Sequence, residues 1–278
     1  MVSNTKQRII SALVMAILVV VCVAIGKIPT LILVMLVGIL CIDELLVNFA
    51  ELTRKSFHYK YIVFFFTLFF LAINVFFEAK LSRSFFTISA LFLNIFLIFY
   101  LFKIPLQEAF MKKSTEKHPG LLSVIAILPI LSFGIHFETN YWRQILGLLL
   151  IVTISMDTGA WFFGKNFGRV KLWPEISPKK TVEGFVGGMF TAALLGSLTW
   201  HYLFNDYQWY YSVIFAACGA ISQVGDLVQS KIKREFKIKD SSNLIPGHGG
   251  IYDRIDSLIF LSPFFVFVVK YLGRHLPL

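Results

Sequence analysis

Charge is scarce in this chain. Only 15% of its 278 residues are Asp, Glu, Lys or Arg, and 57% are hydrophobic. So little polar sequence cannot cover the surface of a soluble domain of this length, which excludes an ordinary water-soluble enzyme or binding module. Carboxylates are the scarcer sign: 16 stand against 26 lysines and arginines, for a net charge of +10. In a soluble protein that excess would suggest nucleic acid. In a hydrophobic chain it follows from the cytoplasmic bias of basic residues, so no nucleic-acid partner is expected. Cysteine is nearly missing. Cys22, Cys41 and Cys218 all lie in apolar runs, without metal spacing and in odd number, which argues against a disulfide framework. No clear small-residue cleavage site follows the opening Lys6 and Arg8, so the first apolar run reads as a retained span rather than a signal peptide. Internal repeats and low-complexity stretches are absent too, and one integral membrane domain over 1–278 is the simplest organisation.

What the chain does have is apolar runs of bilayer length. Nine candidate spans fall at about 9–26, 28–47, 61–77, 85–102, 121–137, 143–163, 184–204, 209–229 and 255–273. The expected fold is all-α, a polytopic transmembrane helical protein. Phenylalanine crowds the third and fourth spans, where lipid contact or packing explains it more simply than a ligand site does. With the N-terminus inside and nine crossings, 20 of the 26 basic residues fall on the cytoplasmic side and the C-terminus lies outside. The loops after the sixth and eighth spans then face the cytoplasm.

The first half, 1–142, reads as scaffold: its loops, Asp43 to Lys60 and Lys103 to Gly120, mix both charge signs without a glycine-rich turn or a carboxylate constellation. The second half, 143–278, is different. Asp157 lies deep in the run ILGLLLIVTISMDTGAWFFG. An ionisable residue there is expensive, so it should face the protein interior, in a functional role or bonded to Thr158 or a neighbouring helix. Ser177-Pro178-Lys179-Lys180-Thr181 precedes the seventh span, where a hydroxyl, free helix N–H groups and two lysines could bind an anion. A capped helix start with interfacial lysines explains the same residues. Gly184 and Gly188, four apart, suit close helix packing.

The densest chemistry lies between Ser230 and Asp256. Lys231, Lys233, Arg234, Lys237 and Lys239 fall within nine residues, and a loop from Ser241 ends in Pro246-Gly247-His248-Gly249-Gly250 before Asp253, Arg254 and Asp256. Asp226 closes the eighth span with Gln223 and Ser230 on its helix face. Cations and exposed N–H groups hold phosphate, and carboxylates hold a divalent metal such as Mg²⁺. Salt bridges among Asp253, Arg254, Asp256 and nearby lysines are the plainer alternative. Lys237 and Lys239 could equally meet anionic headgroups.

Ser230, Lys233-Arg234, Lys239-Asp240, Ser242, Pro246, His248-Gly249-Gly250, Asp253-Arg254 and Asp256 together resemble the signature of the phosphatidate cytidylyltransferase (CDP-diacylglycerol synthase) family. Ser177 to Thr181, Glu183-Gly184, Asp157 to Ala160 and Gly225-Asp226 resemble further family segments, so the likeness covers about 150 to 256. The resemblance implies an integral membrane enzyme that converts CTP and phosphatidate into CDP-diacylglycerol and pyrophosphate with Mg²⁺, often aided by a monovalent cation such as K⁺. It implies metal ligation by Asp226, Asp253 and Asp256. Lys233, Arg234 and Arg254 join those aspartates as catalytic candidates. Asp157, Ser177, Lys179, Lys180, Thr181, Lys239, His248, Gly249 and Gly250 are the substrate-binding candidates, although His248 could simply occupy a tight turn. The rivals are a CTP-using transferase or kinase acting on an isoprenoid lipid, and a non-enzymatic transporter of anionic lipids. A bacterial inner membrane is the expected host, and the sequence leaves a homodimer open.

Overall fold

The computed structural model describes residues 4–77, 79–247 and 249–275. Ten α-helices dominate it: α1 (Asn4–Ile25), α2 (Lys27–Glu44), α3 (Phe57–Leu71), α4 (Lys80–Lys103), α5 (Phe110–Lys117), α6 (Val124–Ser132), α7 (Trp142–Phe167), α8 (Val182–Phe204), α9 (Tyr210–Glu235) and α10 (Tyr252–Leu272). Wide π-turns extend α2 over Leu45–Phe49 and α3 over Ala72–Phe76. Among the described residues, eight helices are long and apolar enough to cross a membrane. The chain is a polytopic, all-α membrane protein, with one small addition that the sequence reading did not foresee. A short antiparallel hairpin, β1 (Lys171–Trp173) with β2 (Ser177–Thr181), joins α7 to α8.

The fifth expected span differs from the others. It forms only the nine-residue α6 followed by a 3₁₀ turn, Phe133–Phe137. At helical rises those 14 residues extend about 23 Å, short of a hydrocarbon core of about 30 Å. Pro129 inside α6 removes one backbone donor, and the helix tightens into the 3₁₀ turn soon after.

The described chain falls into two compact units that interleave along the sequence. The first comprises residues 1–93, 103–135 and 232–255; the second comprises 94–102, 136–231 and 256–278. In the first unit, α2, α3 and α6 pack together around Leu31, Cys41, Ile42, Phe66, Phe70 and Ile130, all buried. Gly38 permits close approach of α2 and α3, because a Cβ there would stand 2.6 Å from the Phe66 ring. Arg83 is buried as well. Its Nε donates to Asn74 Oδ1 (3.2 Å) and its Nη2 to the Asn74 carbonyl (3.1 Å), which supplies partners to an otherwise costly interior cation.

The second unit is built on α7 and α8, which run together along most of their length. Small residues line the seam. A Cβ on Gly184 would lie 2.7 Å from the Ala160 carbonyl, and one on Gly188 would lie 2.7 Å from that of Met156. Thr191 Oγ1 donates to the Ser155 carbonyl (2.9 Å) across the same seam. The glycine spacing noted in the sequence therefore does serve close helix approach. Leu148, Leu149, Val152, Trp200, Phe215, Leu261 and Phe265 complete the core. Many of the phenylalanines of α3 and α4, among them Phe64, Phe85 and Phe92, are exposed, as a lipid-facing surface requires. Cys41 and Cys218 are buried, in keeping with their reading as small core residues.

Candidate active site

The basic segment begins at the end of α9, and its exit is a Schellman turn. The Ile238 N–H bonds the Lys233 carbonyl (3.0 Å), the Lys237 N–H bonds the Arg234 carbonyl (3.1 Å), and Lys237 occupies the left-handed region at φ 57°. Lys237 is thus fixed by the helix exit. Arg234 lies on the same turn and reaches back to the Ile238 carbonyl (3.3 Å).

Two carboxylates then organise the loop that follows. Asp253, in the first turn of α10, receives Lys233 Nζ on Oδ1 at 2.8 Å. Its Oδ2 accepts from the Ser241 N–H (2.7 Å) and the Gly250 N–H (3.0 Å), and it lies 3.0 Å from the Ser241 hydroxyl, whose single proton it shares with a second carboxylate. The Lys233 and Asp253 side chains are only 11% and 3% exposed, so removing either partner strands a buried charge, at a cost of about 3–5 kcal/mol. The second carboxylate is one the sequence reading missed. Glu44, the last residue of α2, is buried with four donors on it. Ser242 Oγ (2.7 Å) and the Ile251 N–H (2.8 Å) reach Oε1, while Ser241 Oγ (2.9 Å) and the Tyr252 N–H (2.9 Å) reach Oε2. Glu44 therefore caps the start of α10 and holds the serine pair of the loop, with Asn48 Nδ2 on the Ser241 carbonyl (2.8 Å) beside it. The half read as scaffold supplies an anchor of the loop.

Gly250 is required by this arrangement, since a Cβ there would collide with the Ser241 hydroxyl and stand 2.5 Å from Glu44 Oε2. Gly249 meets a different demand: its φ of +84° suits glycine, and its carbonyl takes the Ile245 N–H (2.8 Å) to close the turn. His248 lies outside the described residues. Lys239, Gly249 and the exposed Arg254 help to line a cavity of about 540 Å³.

In the other unit, Lys180 Nζ pairs with Asp226 Oδ2 at 2.5 Å. Ser230 Oγ bonds Oδ1 (3.2 Å) and Gln223 Nε2 reaches Oδ2 (3.5 Å), so both residues do fall on the face of Asp226. Lys180 arrives there on β2, and the next residue, Thr181, is the N-cap of α8, accepting the Gly184 N–H on Oγ1 (3.1 Å). The stretch from Ser177 to Thr181 is thus a strand that ends in a helix cap, with Ser177 half-buried and Lys179 exposed. Asp253 and Asp256 stand three apart at the start of α10, which begins early enough to give them one face. Asp256 is buried, and its Oδ1 accepts the Ser257 N–H (2.7 Å). Asp157 departs from expectation: it is exposed on α7, as is Thr158, because the interior face of that helix belongs to Val152, Thr153, Ser155, Met156 and Gly159.

Among the described residues, no three His, Cys, Asp or Glu side chains gather into a ready metal cluster. The donors that are present still suit a hard cation. Asp226 and Asp253 each hold an ammonium nitrogen, itself a cation, on a carboxylate oxygen, and Asp226 has a hydroxyl beside it. Mg²⁺ characteristically takes one or two protein carboxylates and completes its shell with substrate phosphates and water.

Over residues 6–272 the chain matches the model of the Cytidylyltransferase family, and it belongs to that family. It is 34% identical over 273 residues to the phosphatidate cytidylyltransferase of Bacillus subtilis (strain 168), an alignment covering 96% of this chain and 98% of that protein. It is 44% identical over 133 residues to the phosphatidate cytidylyltransferase of Staphylococcus aureus (strain COL), covering 48% of each. The enzyme of that name from Staphylococcus saprophyticus is likewise 44% identical, over 148 residues, 51% of this chain and 56% of the relative.

Proposed function

We propose that the protein transfers the cytidylyl group of CTP to phosphatidate, forming CDP-diacylglycerol and pyrophosphate for phospholipid synthesis. The observation that carries this reading is the near end-to-end likeness to the Bacillus enzyme, combined with lysine–aspartate pairs on the very segments that bear the family signature.

A phosphatidate oxygen attacks the α-phosphorus of CTP, and the bond from that phosphorus to the β-bridging oxygen breaks, its electron pair leaving with pyrophosphate. The nucleophile is already an anion, so the chain needs no strong base. Its task is to bring anions together and to stabilise the charge that develops on the leaving group. Lys180 and Lys233 are held ready by Asp226 and Asp253, and Arg234 and Arg254 add further cations along the same segment. Asp226, Asp253 and Asp256 are the residues proposed to hold Mg²⁺. When bound, that ion would supply charge neutralisation at the phosphate oxygens. Lys180 and Lys233, carried on these carboxylates, would be the cations offered to the substrate phosphates.

A cytoplasmic site in a bacterial plasma (inner) membrane is part of this proposal. If the short Val124–Phe137 segment crosses, 20 basic residues fall inside; if it does not, the count inside drops to 12 of 26 and the positive-inside bias disappears. We therefore take it to cross, with the bilayer thinned or the segment's ends buried in protein to accommodate its length. Purified protein given CTP, phosphatidate and Mg²⁺ should release pyrophosphate only when the lipid is present, and EDTA should stop the release. Lipid-independent release, or none with folded protein, contradicts the reading.

A further inference from the structure

The cavity beside the glycine turn has a wall that neither the family signature nor the reaction scheme above uses. Arg8, on the first turns of α1, lines the same 540 Å³ space as Lys239, Arg254, Asn243 and Gly249. The placement is held by a contact one helical turn on. Ser11 Oγ, whose proton goes to the Gln7 carbonyl (2.8 Å), stands 3.2 Å from the Pro246 carbonyl, so this face of α1 lies against the Pro246-Gly247 turn. Arg8 and Ser11, three apart, share that face. The lining therefore holds two guanidiniums and an ammonium against one carboxylate, Asp240. A volume of this size accommodates a substrate headgroup. Such an excess of cations in one concave space is balanced by an anion with several oxygens, and guanidinium forks fit phosphate in particular.

We propose that Arg8 is a substrate-binding residue, and that this cavity takes a phosphate group of one of the two substrates with Arg8, Lys239 and Arg254 as its cationic walls. The inference rests on the cytidylyl-transfer reading above and adds to it a ligand from the N-terminal helix. On the bland alternative, Arg8 only fixes the orientation of the first span, as Lys6 does.

The test compares R8Q, R8K and, as a neighbouring charge control, K6Q in purified full-length protein whose insertion matches wild type. Arg8 is exposed, so the substitutions leave the packed interior untouched. R8Q should raise KM by about tenfold or more for one phosphate substrate while kcat stays within about threefold, the loss expected for one charge-assisted phosphate contact. A change in KM for CTP assigns the cavity to the nucleotide, and a change in KM for phosphatidate assigns it to the lipid headgroup. R8K keeps the charge that sets topology but cannot offer paired donors, and should raise the same KM about threefold or more. Wild-type KM values for both substrates in R8Q and R8K, or an equal effect of K6Q, overturn the proposal. A second readout needs no turnover: CTP, inorganic pyrophosphate or phosphatidate micelles should raise the unfolding temperature of wild type, and R8Q should lose the shift for at least one of them. If wild type binds but fails to transfer the cytidylyl group, the proposed function falls while this readout still judges Arg8. Equal shifts in both proteins, or none in either, count against the site.

Discussion

Glu44 is the residue whose role is hardest to guess and easiest to test. It accepts from two hydroxyls and two backbone N–H groups, one N–H on each oxygen. In Glu44→Gln, whichever way the amide turns, its NH₂ must face the N–H of either Ile251 or Tyr252. One buried donor is left unpaired, at about 1–3 kcal/mol. The expected result is a lower unfolding temperature together with reduced turnover; unchanged values for both would remove Glu44 from the loop's support. Arg54→Gln provides a contrast. Its bidentate pair with Asp43 has the arginine side 68% exposed, where solvent screens the attraction, so the unfolding temperature should stay near wild type. Gly250→Ala drives a methyl into Ser241 and Glu44, and the displaced loop should cost roughly a hundredfold in kcat, read in the same assay after insertion is verified. At this scale the sequence showed the carboxylates and lysines of the signature and offered a salt bridge from Asp253 to a nearby lysine, which Lys233 makes, but not the Lys180–Asp226 pair. A glutamate more than 190 residues upstream of its partners leaves no local spacing to read. Asp157 misled for a related reason: depth in an apolar run says that a charge is expensive, not which face of the helix carries it.

Among the elements, the helices were largely legible, because long apolar runs leave few alternatives in a bilayer. The hairpin between α7 and α8 was not, since three- and five-residue strands carry too short an alternation to detect. Yet that hairpin delivers Lys180 to Asp226 and ends in the cap of α8. Thr181→Ala should destabilise the protein by about 1 kcal/mol, whereas Thr181→Ser should leave it near wild type, as thermal unfolding in detergent would show. The α7–α8 seam tolerates far less. Gly184→Val would force a branched side chain toward the Ala160 carbonyl, and loss of folded protein is the expected outcome.

For the whole molecule, the proposed topology has the short Val124–Phe137 segment crossing the membrane, which sets the sidedness of every loop after it. Single cysteines at Glu116 and Glu175, placed in a background with Cys22, Cys41 and Cys218 replaced by serine, flank that segment and α7. If the segment crosses, a membrane-impermeant thiol reagent labels both from the same side; if it does not, the two label from opposite sides. The central claim is chemical, and labelled CTP tests it most directly. With CTP labelled at the α-phosphate, phosphatidate and Mg²⁺, the account predicts that label enters the lipid phase as CDP-diacylglycerol. It also predicts that Asp226→Asn loses this transfer while still inserting. Label that remains in water as CDP would mean that the γ-phosphate moves instead, and would contradict the account.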